Sequence, residues 1–199
     1  MNILIDGQTL HTAEVHRGIG VYVKNIIYNV LKNDFCNEFY INVADENSTS
    51  LLSQWTRNKL HILEDESFEP SMVLQPNNKI YYEKYESNIQ SIIDQNNIDI
   101  YWNMNPLMFN VFLPSKFSNC LNVVTMYDLI PFVMQDTFFK EWDKKTTEEY
   151  LSKINKLKSY DLFLSISEST QNDIIQHLEC NPEKCKVTYA GVSSSYVPD

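Results

Sequence analysis

Four times along the chain a short apolar run stops abruptly at polar or glycine-containing residues. The runs begin at Asn2, Ile98, Asn122 and Asp161, and the stops are Asp6-Gly7, Asn103-Met104-Asn105-Pro106, Tyr127-Asp128 and Ser167-Glu168-Ser169-Thr170. Runs of this kind read as strands buried in a parallel sheet. Between them the apolar residues recur at helical spacing, as in Val21, Val23, Ile26, Ile27, Val30 and Leu31. Parallel neighbours need a crossover, and alternating strands and helices supply it, so the pattern predicts an α/β fold. The expected form is a Rossmann-like, doubly wound parallel sheet of about six or seven strands with right-handed crossovers. The polar stops then share one edge of the sheet, which is where open α/β sheets bind ligands.

The stretch Asn122 to Pro131 states the case most sharply. Val123 and Val124 suit a buried strand, and Pro131 cannot continue a ladder, so Tyr127 and Asp128 fall at the strand end. An unpaired buried carboxylate there would cost several kcal/mol, so Asp128 either meets a ligand or caps the next turn. After the first strand, Gln8 to Gly20 forms a long loop containing His11, His16 and Arg17, with Gly18-Ile19-Gly20 at the entry to a helix from Val21. Two glycines admit close backbone approach, and a helix start offers N–H groups to an anion, although G-x-G is also an ordinary loop-to-helix turn. The other expected strands are Phe39 to Ala44, Leu60 to Leu63 and Lys186 to Tyr189. A short helix is expected around Leu51 to Trp55 and a loop over Glu64 to Asn78. Ile80 to Ile93 reads as a helix whose face of Tyr81, Tyr82, Tyr85, Ile89, Ile92 and Ile93 packs into a core. Phe132 to Asp136 reads as a turn and Asn181 to Lys184 as another. Glu141 to Tyr160 reads as one long helix carrying Lys144, Lys145, Lys153, Lys156 and Lys158, preceded by Lys140. Those lysines read as a solvated, salt-bridged face, with peripheral contact to anionic lipid as the competing reading. Ser167 and its neighbours read as caps for a helix from Gln171 to Leu178.

A net charge of -10 disfavours a nucleic-acid partner. Cys36, Cys120, Cys180 and Cys185 lack zinc-site spacing and read as reduced thiols, which points to the cytoplasm. The N-terminus lacks the pattern of a secretory leader, and no run approaches the ~20 apolar residues of a membrane span. The Asn47-Ser48-Thr49 sequon is therefore expected to carry no glycan.

Taken together, Gly18-Ile19-Gly20 with Tyr22, Val123 to Pro131, Ser165 to Ile174, and Pro182-Glu183-Lys184 leading to Val187 through Val192 resemble the N-terminal half of the family 4 retaining glycosyltransferases of the GT-B fold. The resemblance implies one half of a two-domain GT-B architecture: an acceptor-side domain over 1–191, an interdomain linker beginning at 192–199, and a C-terminal nucleotide-sugar domain that these residues do not include. It implies a nucleotide-sugar-dependent hexosyltransferase acting with retention in cell-surface polysaccharide synthesis. The co-substrate would be a nucleotide-diphosphate sugar, the acceptor a glycan or lipid-linked molecule, and neither metal nor cofactor is required. Gly18 and Gly20 would face the donor diphosphate, and Tyr127 and Asp128 would stand at the reacting centre, Tyr127 where the family has histidine. Arg17, Asn103, Asn105, Ser167 and Glu168 are the candidates for acceptor or sugar contacts. The expected location is the cytoplasm or the inner face of a membrane. The competing reading is a non-catalytic Rossmann-like module that holds a small ligand or a partner protein. A flavin or NAD enzyme is disfavoured, because the first loop lacks G-x-G-x-x-G at the short distance dinucleotide binding needs.

Overall fold

The computed structural model describes residues 1–43, 60–64, 79–109 and 111–191. Within them the chain forms a seven-stranded sheet in the order β3-β2-β1-β4-β5-β6-β7, every pair parallel. The strands are β1 Asn2–Asp6, β2 Glu38–Val43, β3 Leu60–Glu64, β4 Ile100–Asn103, β5 Leu121–Met126, β6 Leu162–Ser165 and β7 Cys185–Val187. The chain winds outward from β1 to β3, returns to place β4 on the other side of β1, and winds outward again. The strand order therefore reverses between β1 and β4, which opens a crevice at their carboxyl ends. The Rossmann-like parallel sheet expected from the sequence is present.

Side-chain alternation on β1 separates two apolar layers. Ile3 and Ile5 pack with Val23, Ile27 and Leu31 of α1 (Gly18–Asn33) on one face. Leu4 packs on the other with Tyr85, Ile89 and Ile93 of α2 (Lys79–Gln95) and with Ile154 and Leu157 of the long helix. Tyr85, Ile89 and Ile93 are the buried part of the stripe predicted for this helix.

Several boundaries differ from the sequence reading. Helix α1 begins at Gly18 rather than Val21, after two 3-10 turns at Gln8–His11 and Ala13–His16. Phe132 to Asp136 is not a turn but falls in two short helices, α3 (Ile130–Val133) and α4 (Gln135–Glu141). Pro131 lies in the first turn of α3, where its missing N–H and fixed φ are tolerated. The long helix α5 spans Lys144–Leu157 and is capped by Asp143, whose side chain accepts from the Thr146 N–H. The helix after β6, α6, spans Glu168–His177. The last strand ends at Val187, short of Tyr189. The expected helix around Leu51 to Trp55, most of the expected loop from Glu64 to Asn78, the sequon at Asn47 and the segment 192–199 lie outside the described residues.

Candidate functional site

The carboxyl end of β1 is built around a buried carboxylate. Asp6 is 2% exposed and accepts from the Gln8 N–H at 3.0 Å, the Gln8 side-chain amide at 2.9 Å and the Tyr85 hydroxyl at 2.8 Å. It also accepts from the Tyr101 hydroxyl and from the Asn103 amide. Burial pushes its pKa above the ordinary carboxylate range, and the bonds from Tyr101, Gln8 and Tyr85 work in the opposite direction. Gly7 follows because a Cβ there would collide with the Asn42 carbonyl oxygen, while its N–H donates to Asn42 Oδ1 at 3.1 Å.

Gln8 also reaches across the switch point. Its amide donates to the Phe112 carbonyl at 2.8 Å, and its Oε1 accepts from the Phe112 N–H at 2.7 Å. Phe112 belongs to the connection between β4 and β5, much of which has no regular secondary structure yet is buried at Val111, Phe112 and Leu113. Buried backbone needs partners, and here side chains supply them. Lys153 Nζ donates to the carbonyls of Met108 and Val111, and Lys156 Nζ to that of Leu113 at 2.8 Å. The Leu113 N–H donates to the Tyr82 hydroxyl, and the Tyr160 hydroxyl to the Pro114 carbonyl. The expected solvated lysine face of α5 is thus corrected at two positions. Lys153 is buried, with Glu149 3.4 Å away, and Lys156 lies over the Tyr82 ring and pairs with Glu86. Buried as it is, Lys153 is not presented to a lipid surface.

This strap forms one wall of a cleft of about 290 Å³ at the strand-order reversal. Asn105 to Phe109 line it from the strap, Met126, Tyr127, Asp128 and Pro131 from the end of β5, Ile19 from α1 and Tyr150 from α5. Asp128 is the single charged residue lining it among the described residues. Of the residues singled out in the sequence, Tyr127, Asp128 and Asn105 line this cleft directly, while Gly18 and Gly20 flank Ile19. The N-cap of helix α1 is Arg17, which makes no side-chain cap, so the first N–H groups of the helix have no side-chain acceptor from the capping residue. A Cβ at Gly18 would meet nothing within 4 Å, and no glycine has a positive φ. Neither packing nor conformation therefore demands glycine at 18. Gly18→Ala is expected to stabilise the fold by about 0.5 kcal/mol, since alanine loses less entropy on helix formation. Thermal melting checks this, and the same variant tests ligand approach, as described below.

The remaining candidates are spoken for. Asn103 points into the Asp6 network and accepts from the Asn105 N–H at 3.0 Å. Ser167 caps α6, its hydroxyl accepting from the Thr170 N–H at 3.1 Å. Glu168 is exposed and accepts from the Tyr189 hydroxyl at 2.8 Å. Arg17 is the exposed cap residue of α1. None of these four lines the cleft. Asp128 accepts from the Ile130 N–H at 3.0 Å, so it makes the capping contact while its exposed carboxylate still borders the cleft.

Tyr127 is fixed from two sides. Its carbonyl accepts from the Thr170 hydroxyl at 2.8 Å, and its ring meets Tyr22 of α1 edge-on, with centroids 5.5 Å apart. The hydroxyls of Tyr127 and Tyr150 are buried, and that of Tyr127 has no hydrogen-bond partner among the described residues. Burial raises both phenol pKa values well above the usual range, so both stay protonated and neutral. Because a buried hydroxyl without a partner costs about 1–3 kcal/mol, Tyr127→Phe is expected to melt at the same temperature as the parent or slightly higher. A clear drop in melting temperature would show that the hydroxyl is satisfied in solution.

No family model and no curated protein matches this sequence. Among solved structures, the chain is similar to a glycosyltransferase from Rickettsia africae ESF-5, with a TM-score of 0.54 and 16% identity over 98% of this chain and 44% of that one. It is also similar to a protein assigned as a UDP-N-acetylglucosamine 2-epimerase from Listeria monocytogenes, with a TM-score of 0.53 and 9% identity over 92% of this chain and 44% of that one. The chain thus spans less than half the length of either neighbour. At these identities the likeness is one of fold, a shared Rossmann-like α/β domain.

Proposed function

We propose that this chain is the acceptor-side domain of a nucleotide-sugar-dependent glycosyltransferase of the GT-B type. One observation carries the reading: a cleft at the switch point gathers Tyr127, Asp128 and Asn105 beside the uncapped start of α1. The fold neighbours add support, since a glycosyltransferase and a nucleotide-sugar epimerase both contain such a domain. In this reading the first-turn N–H groups of α1 receive the departing diphosphate, whose charge grows as the sugar bond breaks. Asp128 accepts a hydrogen bond from a sugar hydroxyl at the mouth of the cleft. Tyr127 and Tyr150 remain neutral and shape its wall. A saccharide suits such a cleft, because its ring presents an apolar face to Phe109 and Leu107 and its hydroxyls reach Asp128 and Asn105. Catalysis would require the second, nucleotide-sugar-binding domain of the GT-B architecture, with retention of configuration and an acceptor from cell-surface polysaccharide synthesis as the finer proposals.

The test is transfer from UDP-, GDP- and dTDP-hexoses to oligosaccharide acceptors, with the chain alone and joined to a C-terminal nucleotide-sugar domain. Little turnover alone and clear transfer when joined are expected. In the joined protein Gly18→Ala should lower kcat/KM about tenfold without loss of stability, since an added methyl would stand between helix and diphosphate. Robust transfer by the chain alone would overturn the need for a second domain. A non-catalytic binding module is the second reading, favoured by the buried neutral phenol at 127, which cannot share charge as an imidazole would. Tight binding of a small ligand with no transfer in either form would select it.

A further inference from the structure

The crossing from α6 to β7 brings two thiols together at the end of the sheet opposite the cleft. Cys180 and Cys185 have their sulfurs 3.4 Å apart, and both approach the Asn181 carbonyl, at 3.6 and 3.8 Å. The intervening backbone holds them there. Leu178 is the C-cap of α6, Glu179 turns the chain with a φ of 55°, and Asn181 caps a single 3-10 turn over Pro182–Lys184 through the Glu183 N–H. Cys185 then opens β7, its carbonyl accepting from the Gln171 side chain of α6 at 2.8 Å. We infer that Cys180 and Cys185 are a dithiol site that exchanges with a low-molecular-weight disulfide to form a reversible intramolecular disulfide.

A disulfide needs a sulfur separation of about 2.05 Å, which small side-chain rotations can reach from here without moving the sheet. The two thiols differ in access. Cys180 is half-buried, whereas Cys185 is buried. Cys180, as thiolate, therefore attacks one sulfur of the external disulfide, whose S–S bond breaks and releases the first small thiol carrying the proton from Cys180. Cys185 then gives up its proton and attacks the Cys180 sulfur, and the mixed S–S bond breaks to release the second small thiol. Two protein thiols are oxidised and one external disulfide is reduced to two thiols. Burial pushes the Cys185 thiol up to about 12, so the second step accelerates as pH rises, while the 3.4 Å sulfur separation makes it intramolecular and keeps it ahead of the bimolecular first step. The other cysteines serve as internal controls. Cys36 is exposed, and Cys120 is half-buried, its sulfur receiving the Asn122 amide at 3.9 Å.

The test is incubation of the folded chain with oxidised glutathione, followed by acid quenching, intact mass and peptide mapping. The expected product has lost two hydrogens through a Cys180–Cys185 link, carries glutathione only on Cys36, and reverts with dithiothreitol. Its melting temperature should rise by about 4 °C, because the link constrains a short loop of the unfolded chain. Cys185→Ser should instead trap glutathione on Cys180. Accumulation of a Cys180–glutathione adduct in the parent chain, or an unreacted Cys180 while Cys36 is fully modified, would overturn the inference.

Discussion

Asp6→Ala is expected to lower stability by about 4 kcal/mol and the melting temperature by on the order of 10 °C. The side chain is the common acceptor for Gln8, Tyr85, Tyr101 and Asn103, which come from the turn after β1, from α2 and from β4. Removing it strands several buried donors, and each unsatisfied group carries its own desolvation penalty. The loss should exceed that of a single core truncation, because Tyr101 and Tyr85 also pack in the apolar layer beneath. Asp6→Asn is a graded control. It keeps one carbonyl acceptor but turns an NH2 toward donors, so about half the loss is expected. Denaturant unfolding of the three proteins checks the order; a melting temperature unchanged in Asp6→Ala would contradict the network.

Lys153→Met should be almost as damaging, by about 3–5 kcal/mol, because it leaves Glu149 without its cation and the carbonyls of Met108 and Val111 without a donor. Its pH signature separates charge from packing. Burial lowers the Lys153 pKa to about 8, against about 10.4 in the unfolded chain. Below pH 8 both states carry the proton and the folded state bears the full desolvation penalty. Between about pH 8 and 10 the folded amine sheds its proton while the unfolded one keeps it, so the unfolded state binds more protons and stability rises with pH. A neutral amine still has N–H groups for both carbonyls. The parent protein should therefore gain stability over this window relative to Lys153→Met, in which, among the described residues, Lys156 alone retains a burial-lowered amine. Parallel pH profiles of the two proteins would contradict the assignment.

These two residues also mark where the sequence stopped being legible. The strands could be read because each is buried on both faces and spells its burial in consecutive apolar residues, as Val123 and Val124 do. The parallel order followed from the crossovers, and the polar strand ends then had to share an edge. The strap from Asn105 to Pro114 could not be read in the same way. Its backbone is satisfied by Gln8, Tyr82, Lys153, Lys156 and Tyr160, distant in sequence, and no local period records such partners. Lys153 looked like one member of a charged helix face because i,i+4 spacing to Glu149 is also what a surface pair shows. At Pro131 a residue that ends strands also starts helices, so the pair of short helices read as a turn. Within the site, Tyr127 and Asp128 were visible as a polar break after an apolar run. Tyr150 was not, since its place in a helical stripe signals packing alone.

The central claim is that the cleft between the start of α1, the strap and the end of β5 is where ligand binds. Methyl-resolved NMR of the chain, titrated with neutral oligosaccharides and with UDP-, GDP- and dTDP-hexoses, tests it most directly. Ile19, Met108 and Met126 line the cleft, while Ile62 and Ile98 lie elsewhere in the sheet and its connections. The account predicts saturable shifts at Ile19, Met108 and Met126, weakened by Asp128→Ala, with Ile62 and Ile98 unmoved. Shifts confined to methyls away from the cleft, or binding indifferent to Asp128, would contradict it.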